Sequence, residues 1–190
     1  TEKEGRLRIV EADGRLSEPL GGVPEVDDGG QGGLLDVALD PEFASNQLVY
    51  LSYSEPGDGG AGTAVARGKL SGDRLDAVEV IWRQQPKLGS GQHFGSRLVF
   101  LPDETLIVTL GDRNTREYIP DMKAQIGKLV RINRDGSIPE DNPFVSDDAY
   151  SPDIYSLGHR NVQGATLNPE TGALWTVQHG SRGGGEINIP

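Results

Sequence analysis

Few side chains in this sequence have the type and setting to move a proton, and His93 stands first among them. It is one of three histidines, flanked by Gly91-Gln92 and Gly95, a setting that suggests close backbone approach rather than an apolar core face. Imidazole titrates nearest neutrality of the side chains, so His93 can serve as a general base if a carboxylate orients it. Asp112, in Gly111-Asp112-Arg113-Asn114, is the carboxylate best suited to that task. A second polar group lies in Gly158-His159-Arg160-Asn161-Val162-Gln163-Gly164, where Arg160 could stabilise negative charge and Asn161 and Gln163 could donate hydrogen bonds. Gln31 is a further amide among glycines, and Gln178-His179-Gly180-Ser181 closes the set. The plainer alternatives are a loop histidine, a turn aspartate and a surface arginine.

Other chemistries find less support. Without cysteine there is no disulfide, thiolate metal site or thiol nucleophile. There is no Gly-x-Ser-x-Gly elbow and no His-Glu-x-x-His. Gly183-Gly184-Gly185 lacks the Lys-Ser/Thr of a phosphate loop, and Asp27-Asp28 and Asp147-Asp148 read as solvated turn charges.

The elements that must position these residues are repeated. Three segments share a polar residue, glycine, an alternating apolar run, Pro with an acidic neighbour, and a second apolar run. They span Gln31 to Tyr53, His93 to Leu110 and Asn161 to Gln178, with Pro41, Pro102 and Pro169 at their turns. Each reads as a β-hairpin, near 33–53, 95–110 and 163–178. Strand candidates between them, at 63–70, 77–82, 128–133 and 154–157, complete about four strands per repeat, the blade of a β-propeller. Gln31, His93 and Asn161 precede their prolines by ten, nine and eight residues. Equivalent blades would therefore bring them to one channel mouth, where polar groups converging on a concavity make a binding site. The stretch from Tyr118 to Leu129 could hold a turn or two of helix, limited by Pro120 and Gly127.

The expectation is one all-β domain over residues 1–190 with about three blades. Because propellers typically close with 4–8 blades, the chain is expected to be part of a longer propeller whose end blades would otherwise expose open faces. With 27 Gly and 12 Pro, the composition fits short strands and many turns. A net charge of −11 argues against nucleic-acid binding. No run of about 20 apolar residues could span a bilayer, and any secretory leader would lie outside the sequence.

With these residues laid out, the sequence resembles the soluble pyrroloquinoline quinone (PQQ) dependent aldose sugar dehydrogenases of the glucose/sorbosone dehydrogenase family. The resemblance rests on Gly30-Gln31-Gly32-Gly33-Leu34-Leu35-Asp36 with Asp40-Pro41-Glu42-Phe43, and on His93 with Arg97-Leu98-Val99-Phe100. It continues through Gly158-His159-Arg160-Asn161 with Gln163-Gly164, then His179-Gly180 with Gly183-Gly184 and Glu186-Ile187-Asn188. Val162 and Ser181 stand where the family has proline, and Gly185 where an acidic residue commonly precedes Glu186.

The resemblance implies a six-bladed propeller with PQQ over its central channel, oxidising aldoses at C1 to lactones. In that scheme His93 is the general base, Asp112 orients it, and Arg160 contacts the quinone carbonyl and substrate oxygen. Gln31, Asn161 and Gln163 hydrogen-bond the cofactor, and the backbone carbonyls of Gly180 and Ser181 coordinate Ca²⁺. It also implies a periplasmic or secreted location and a separate, unidentified electron acceptor. The family's other PQQ-holding basic and aromatic residues lie in later blades. Two other readings stay open: a propeller that binds a partner without catalysis, and a metal-dependent lactonase.

Overall fold

The computed structural model describes all 190 residues. Three antiparallel sheets follow one another along the chain, and each hairpin read from the sequence forms the start of one. The first sheet runs β1 (Leu34–Leu39), β2 (Leu48–Gly57), β3 (Gly60–Ser71) and β4 (Arg74–Arg83) in consecutive order. The second repeats this with β5 (Gly95–Phe100), β6 (Leu106–Leu110), β7 (Lys128–Ile132) and β8 (Ile154–Leu157). The third has three strands, β9 (Val162–Leu167), β10 (Leu174–Gln178) and β11 (Glu186–Asn188), with β10 in the middle. Inner strand β5 packs against β1 on one side and β9 on the other, so the sheets fan out from a shared inner edge.

Alternation along the strands decides which core each side chain enters, because successive side chains point to opposite faces. In β6, Leu106, Val108 and Leu110 meet Tyr50, Val65 and Trp82 of the first sheet, while Ile107 faces Val162 and Leu174 of the third. All five residues of β6 are buried, which is why it reads as an unbroken apolar run rather than an alternating one. In β2 the same rule sends Tyr50 toward the second sheet, and Val49, Leu51 and Tyr53 the other way.

That other face is closed by the N-terminal segment. Leu7 and Leu20 are buried against Leu51, Ala64, Ala66 and Leu75, with Ile9, Val23 and Val26 beside them. The expected open face at the first blade is therefore covered from within the chain. At the other end, Trp175, Val177 and Ile187 of the third sheet remain exposed.

The turns differ in detail from the sequence expectation. After Pro41-Glu42 the chain makes one helical turn, α1 (Phe43–Asn46), where Asp40 Oδ1 accepts from Glu42 N at 2.9 Å and Asn46 Nδ2 at 2.8 Å. In the stretch considered for helix, only a 3-10 turn forms, at Arg116–Tyr118. No helix is long and apolar enough to cross a membrane.

Candidate functional site

Gln31 lies just before β1, His93 just before β5 and Asn161 just before β9, so equivalent places in three blades carry the three predicted residues. Glycines allow the approach. A Cβ at Gly111 would sit 1.8 Å from the His93 carbonyl oxygen, and one at Gly30 would sit 2.3 Å from that of Gly91. No other residue fits at either contact. Gln31 then ties to the next blade twice: its N–H donates to Gly91 O at 2.7 Å, and its Oε1 accepts from His93 N at 2.9 Å.

His93 is buried with a positive φ of 53°. Its Nδ1 lies 2.6 Å from Asp112 Oδ1, the length of a charge-assisted bond. The same oxygen accepts from Asn114 N at 2.8 Å, and Asp112's own N–H donates to Arg160 O at 2.7 Å. Asp112 therefore links the second blade to the third as well as holding the imidazole.

Arg160 is fixed from the third sheet. Gln178 Oε1 accepts its backbone N–H at 2.7 Å, and its Nη1 donates to His179 O at 3.1 Å and Gly180 O at 3.3 Å. Asn161 bridges to Gly111, and its Oδ1 accepts from Gln163 Nε2 at 2.8 Å. Gln31, Asn161 and Gln163 line one cavity of about 210 Å³ with Arg97, Phe94 and His179. His93 adjoins this cavity through its neighbour Phe94 and its bond to Gln31. Arg160 and Ser181 line a different, larger cavity, which also includes Asp112. Ser181 itself is exposed.

Three positioning residues went unnoticed as such in the sequence. Arg113 is fully buried and donates to the carbonyls of Gln92 (3.0 Å), Ala61 (2.8 Å) and Ser90, with its guanidinium 3.8 Å over the Phe94 ring. It thus pins the loop that delivers His93. Burial pushes it down to about 10, with the charge of Asp27 acting the other way. Arg97 donates to Gln163 O at 2.8 Å and to Asp36 Oδ1 at 3.3 Å, joining the inner strands of all three sheets. Gln178 braces Arg160 as described and donates to Glu186 Oε2 at 2.9 Å. The signal available for Arg97 was its place in the His93 segment; an arginine beside a candidate aspartate gave none.

Successive antiparallel sheets, two of four strands and one of three, sharing an inner edge, with polar residues gathered where the inner strands begin, define a segment of a β-propeller. The chain belongs to the glucose/sorbosone dehydrogenase family, whose model, Glucose / Sorbosone dehydrogenase, matches residues 1–190. It is 49% identical over its whole length to the aldose sugar dehydrogenase YliI of Escherichia coli, covering 52% of that protein. A crystal structure of the soluble aldose sugar dehydrogenase from Escherichia coli in the apo-form superposes with a TM-score of 0.96 at 49% identity, over all of this chain and 56% of that one. The PQQ-bound aldose sugar dehydrogenase from Streptomyces coelicolor superposes with a TM-score of 0.81 at 31% identity, over 98% of this chain and 54% of that one. The chain thus spans about half the length of the relatives it matches.

Proposed function

We propose that this chain carries the His93 side of a PQQ-dependent dehydrogenase that oxidises aldose sugars at C1 to lactones. The observation that carries the reading is the 2.6 Å contact between His93 Nδ1 and Asp112 Oδ1 beside a cavity lined by Gln31, Asn161 and Gln163. The amides of that cavity offer N–H groups to the carbonyl and carboxylate oxygens of a carboxylate-bearing quinone, and Arg160, which lines the cavity that includes Asp112, offers a guanidinium. When bound, PQQ would supply the acceptor for the hydride that leaves C1.

The chain's own residues would manage the proton and the charge. With Nδ1–H given to Asp112, His93 presents the Nε2 lone pair, which takes the proton of the anomeric hydroxyl. Asp112 holds that tautomer and stabilises the imidazolium. Arg160 stabilises negative charge on the reacting oxygens. By the family resemblance, calcium would take backbone oxygens at Gly180 and Ser181, oxygen being the ligand it favours. In this reading the protein works in the periplasm or outside the cell and passes its electrons to a separate acceptor.

The test is reconstitution. The protein carrying this chain at the length of its relatives, loaded with PQQ and Ca²⁺, should reduce a dye with glucose or another aldose. No turnover with any aldose, together with no change in quinone absorbance, overturns the reading.

A further inference from the structure

Behind the base lies a buried group of hydroxyls that the proposed reaction does not use. Ser52, Thr63 and Ser96 are each no more than 1% exposed and stand where the first sheet meets the second. Thr63 Oγ1 lies 3.0 Å from Ser96 Oγ, Ser96 Oγ donates to Phe94 O at 3.1 Å, and Ser52 Oγ donates to Ser96 O at 2.5 Å. Phe94 O also accepts from Gly111 N at 3.2 Å. Phe94 follows His93 in the chain and Gly111 precedes Asp112, so this carbonyl is where the segments carrying base and carboxylate meet. A carbonyl oxygen has two lone pairs. With Thr63 giving its proton to Ser96, rather than over 3.3 Å to Phe94 O, and Ser96 giving its own to Phe94 O, those lone pairs are filled by Ser96 and Gly111.

Ser96 is also strained. It sits in the bulge of β5 between Gly95 and Leu98 with a φ of 77°, a left-handed backbone that glycine adopts freely and other residues rarely. A buried residue held there costs free energy that its surroundings must offset. A glycine would remove the strain and the hydroxyl together, so what the hydroxyl does has to explain the serine. Nor does the Thr63–Ser96 pair belong to the repeat. Ser52 pairs with Val65 as Thr109 pairs with Leu129, and Gly95 pairs with Leu110 as Val162 pairs with Gln178. One blade further on, Gly127 therefore stands for Thr63 and Gln163 for Ser96. The blade junction that carries His93 has the pair; the next one lacks it.

We propose that Ser96, with Thr63 behind it, is a positioning residue for the reaction. Its hydroxyl holds the Phe94 carbonyl, and through it the 2.6 Å contact between His93 Nδ1 and Asp112 Oδ1. Being buried, the hydroxyls act through the backbone alone. The strain at Ser96 is kept because the bond it places sets the geometry of the base. This inference rests on the general-base reading of His93, but the contact it explains is measurable without turnover.

The experiment compares Ser96→Gly, Ser96→Ala and Thr63→Val in the protein carrying this chain at the length of its relatives. Without PQQ or sugar, the ¹H–¹⁵N signal of His93 Nδ1 should report a strongly hydrogen-bonded proton in the unaltered protein. That bond should be weakened in both Ser96 variants and less so in Thr63→Val. In the PQQ-loaded protein, each Ser96 variant should lower kcat for an aldose by up to about tenfold, the worth of one neutral hydrogen bond, with KM and PQQ affinity unchanged. Thermal unfolding separates the two: Ser96→Ala keeps the strain and loses the bonds, whereas Ser96→Gly also releases the strain and should lose less Tm. Equal losses of kcat at unequal Tm mark a positioning role. A kcat that recovers with Tm in Ser96→Gly, or an unshifted His93 Nδ1 signal in the folded variants, overturns the proposal. Thr63→Val leaves the backbone at residue 96 unaltered and decides the matter if the Ser96 variants fail to fold. Should the unaltered protein oxidise no sugar, the dehydrogenase reading falls, and the His93 signal alone still decides this inference.

Discussion

Asp112→Asn separates the charge of the carboxylate from its geometry, and the structure sets the size of the effect. Asp112 Oδ1 accepts two hydrogen bonds, from His93 Nδ1 at 2.6 Å and from Asn114 N at 2.8 Å. An asparagine must keep its oxygen there, since turning its NH₂ inward would set donor against the Asn114 donor. The oxygen then still accepts from His93 Nδ1–H, and the base keeps its Nε2 lone pair. What is lost is charge assistance, the difference between a bond to a charged group at about 1.5–3 kcal/mol and a neutral one at about 0.5–1.5 kcal/mol. Taken as about 1.4 kcal/mol, this lowers kcat about tenfold. In Ser-His-Asp triads, where the same exchange yields the wrong tautomer, the loss is about 10⁴-fold. The assay is steady-state dye reduction by the PQQ-loaded protein, with ¹⁵N resonances of His93 reporting the tautomer. An unchanged kcat, or a loss near 10⁴-fold with the proton on Nε2, refutes the reasoning.

Other outcomes test the scaffold. Burial lowers the His159 pKa to about 4, with Glu186 opposing, so the unfolded chain binds a proton below its ordinary value near 6.5 while the folded chain does not. Stability is therefore lost as pH falls from about 6.5 toward 4, by about 3 kcal/mol at 1.36 kcal/mol per pK unit, and urea titrations of His159→Gln should lack that increment. Trp82→Phe removes the 2.8 Å bond from Nε1 to buried Asp153 and should cost about 1–3 kcal/mol in the same titration. Leu106→Ala, at a fully buried position between the first two sheets, should cost about 2–5 kcal/mol. Arg113→Leu should speed hydrogen exchange at the His93 amide, because the loop at Ser90 and Gln92 loses its donor.

The parts of this molecule that were legible in its sequence are those where one physical rule acts alone. Leu106 to Leu110 read as a strand because every position is buried, and the polar residues before β1, β5 and β9 aligned because the repeat keeps each of them eight to ten residues ahead of its turn proline. The pairing of His93 with Asp112 followed from a scarcity of histidines and a turn-forming aspartate. The N-terminal segment was not legible. Its buried residues Leu7 and Leu20 stand far apart, and the segment forms only single bridges, such as Glu2 with Arg6 and Val10 with Leu16, so no period announces it. Arg113 escaped for a related reason. A guanidinium whose partners are backbone carbonyls leaves no complementary acid in the sequence to suggest that it is buried.

The most direct test of the proposed reaction is the turnover of His93→Ala in the PQQ-loaded protein with a good aldose substrate. With the Nε2 lone pair gone, kcat should fall by about 10²–10⁴ while PQQ remains bound. Turnover near the unaltered rate would take the general base away from His93 and contradict the account.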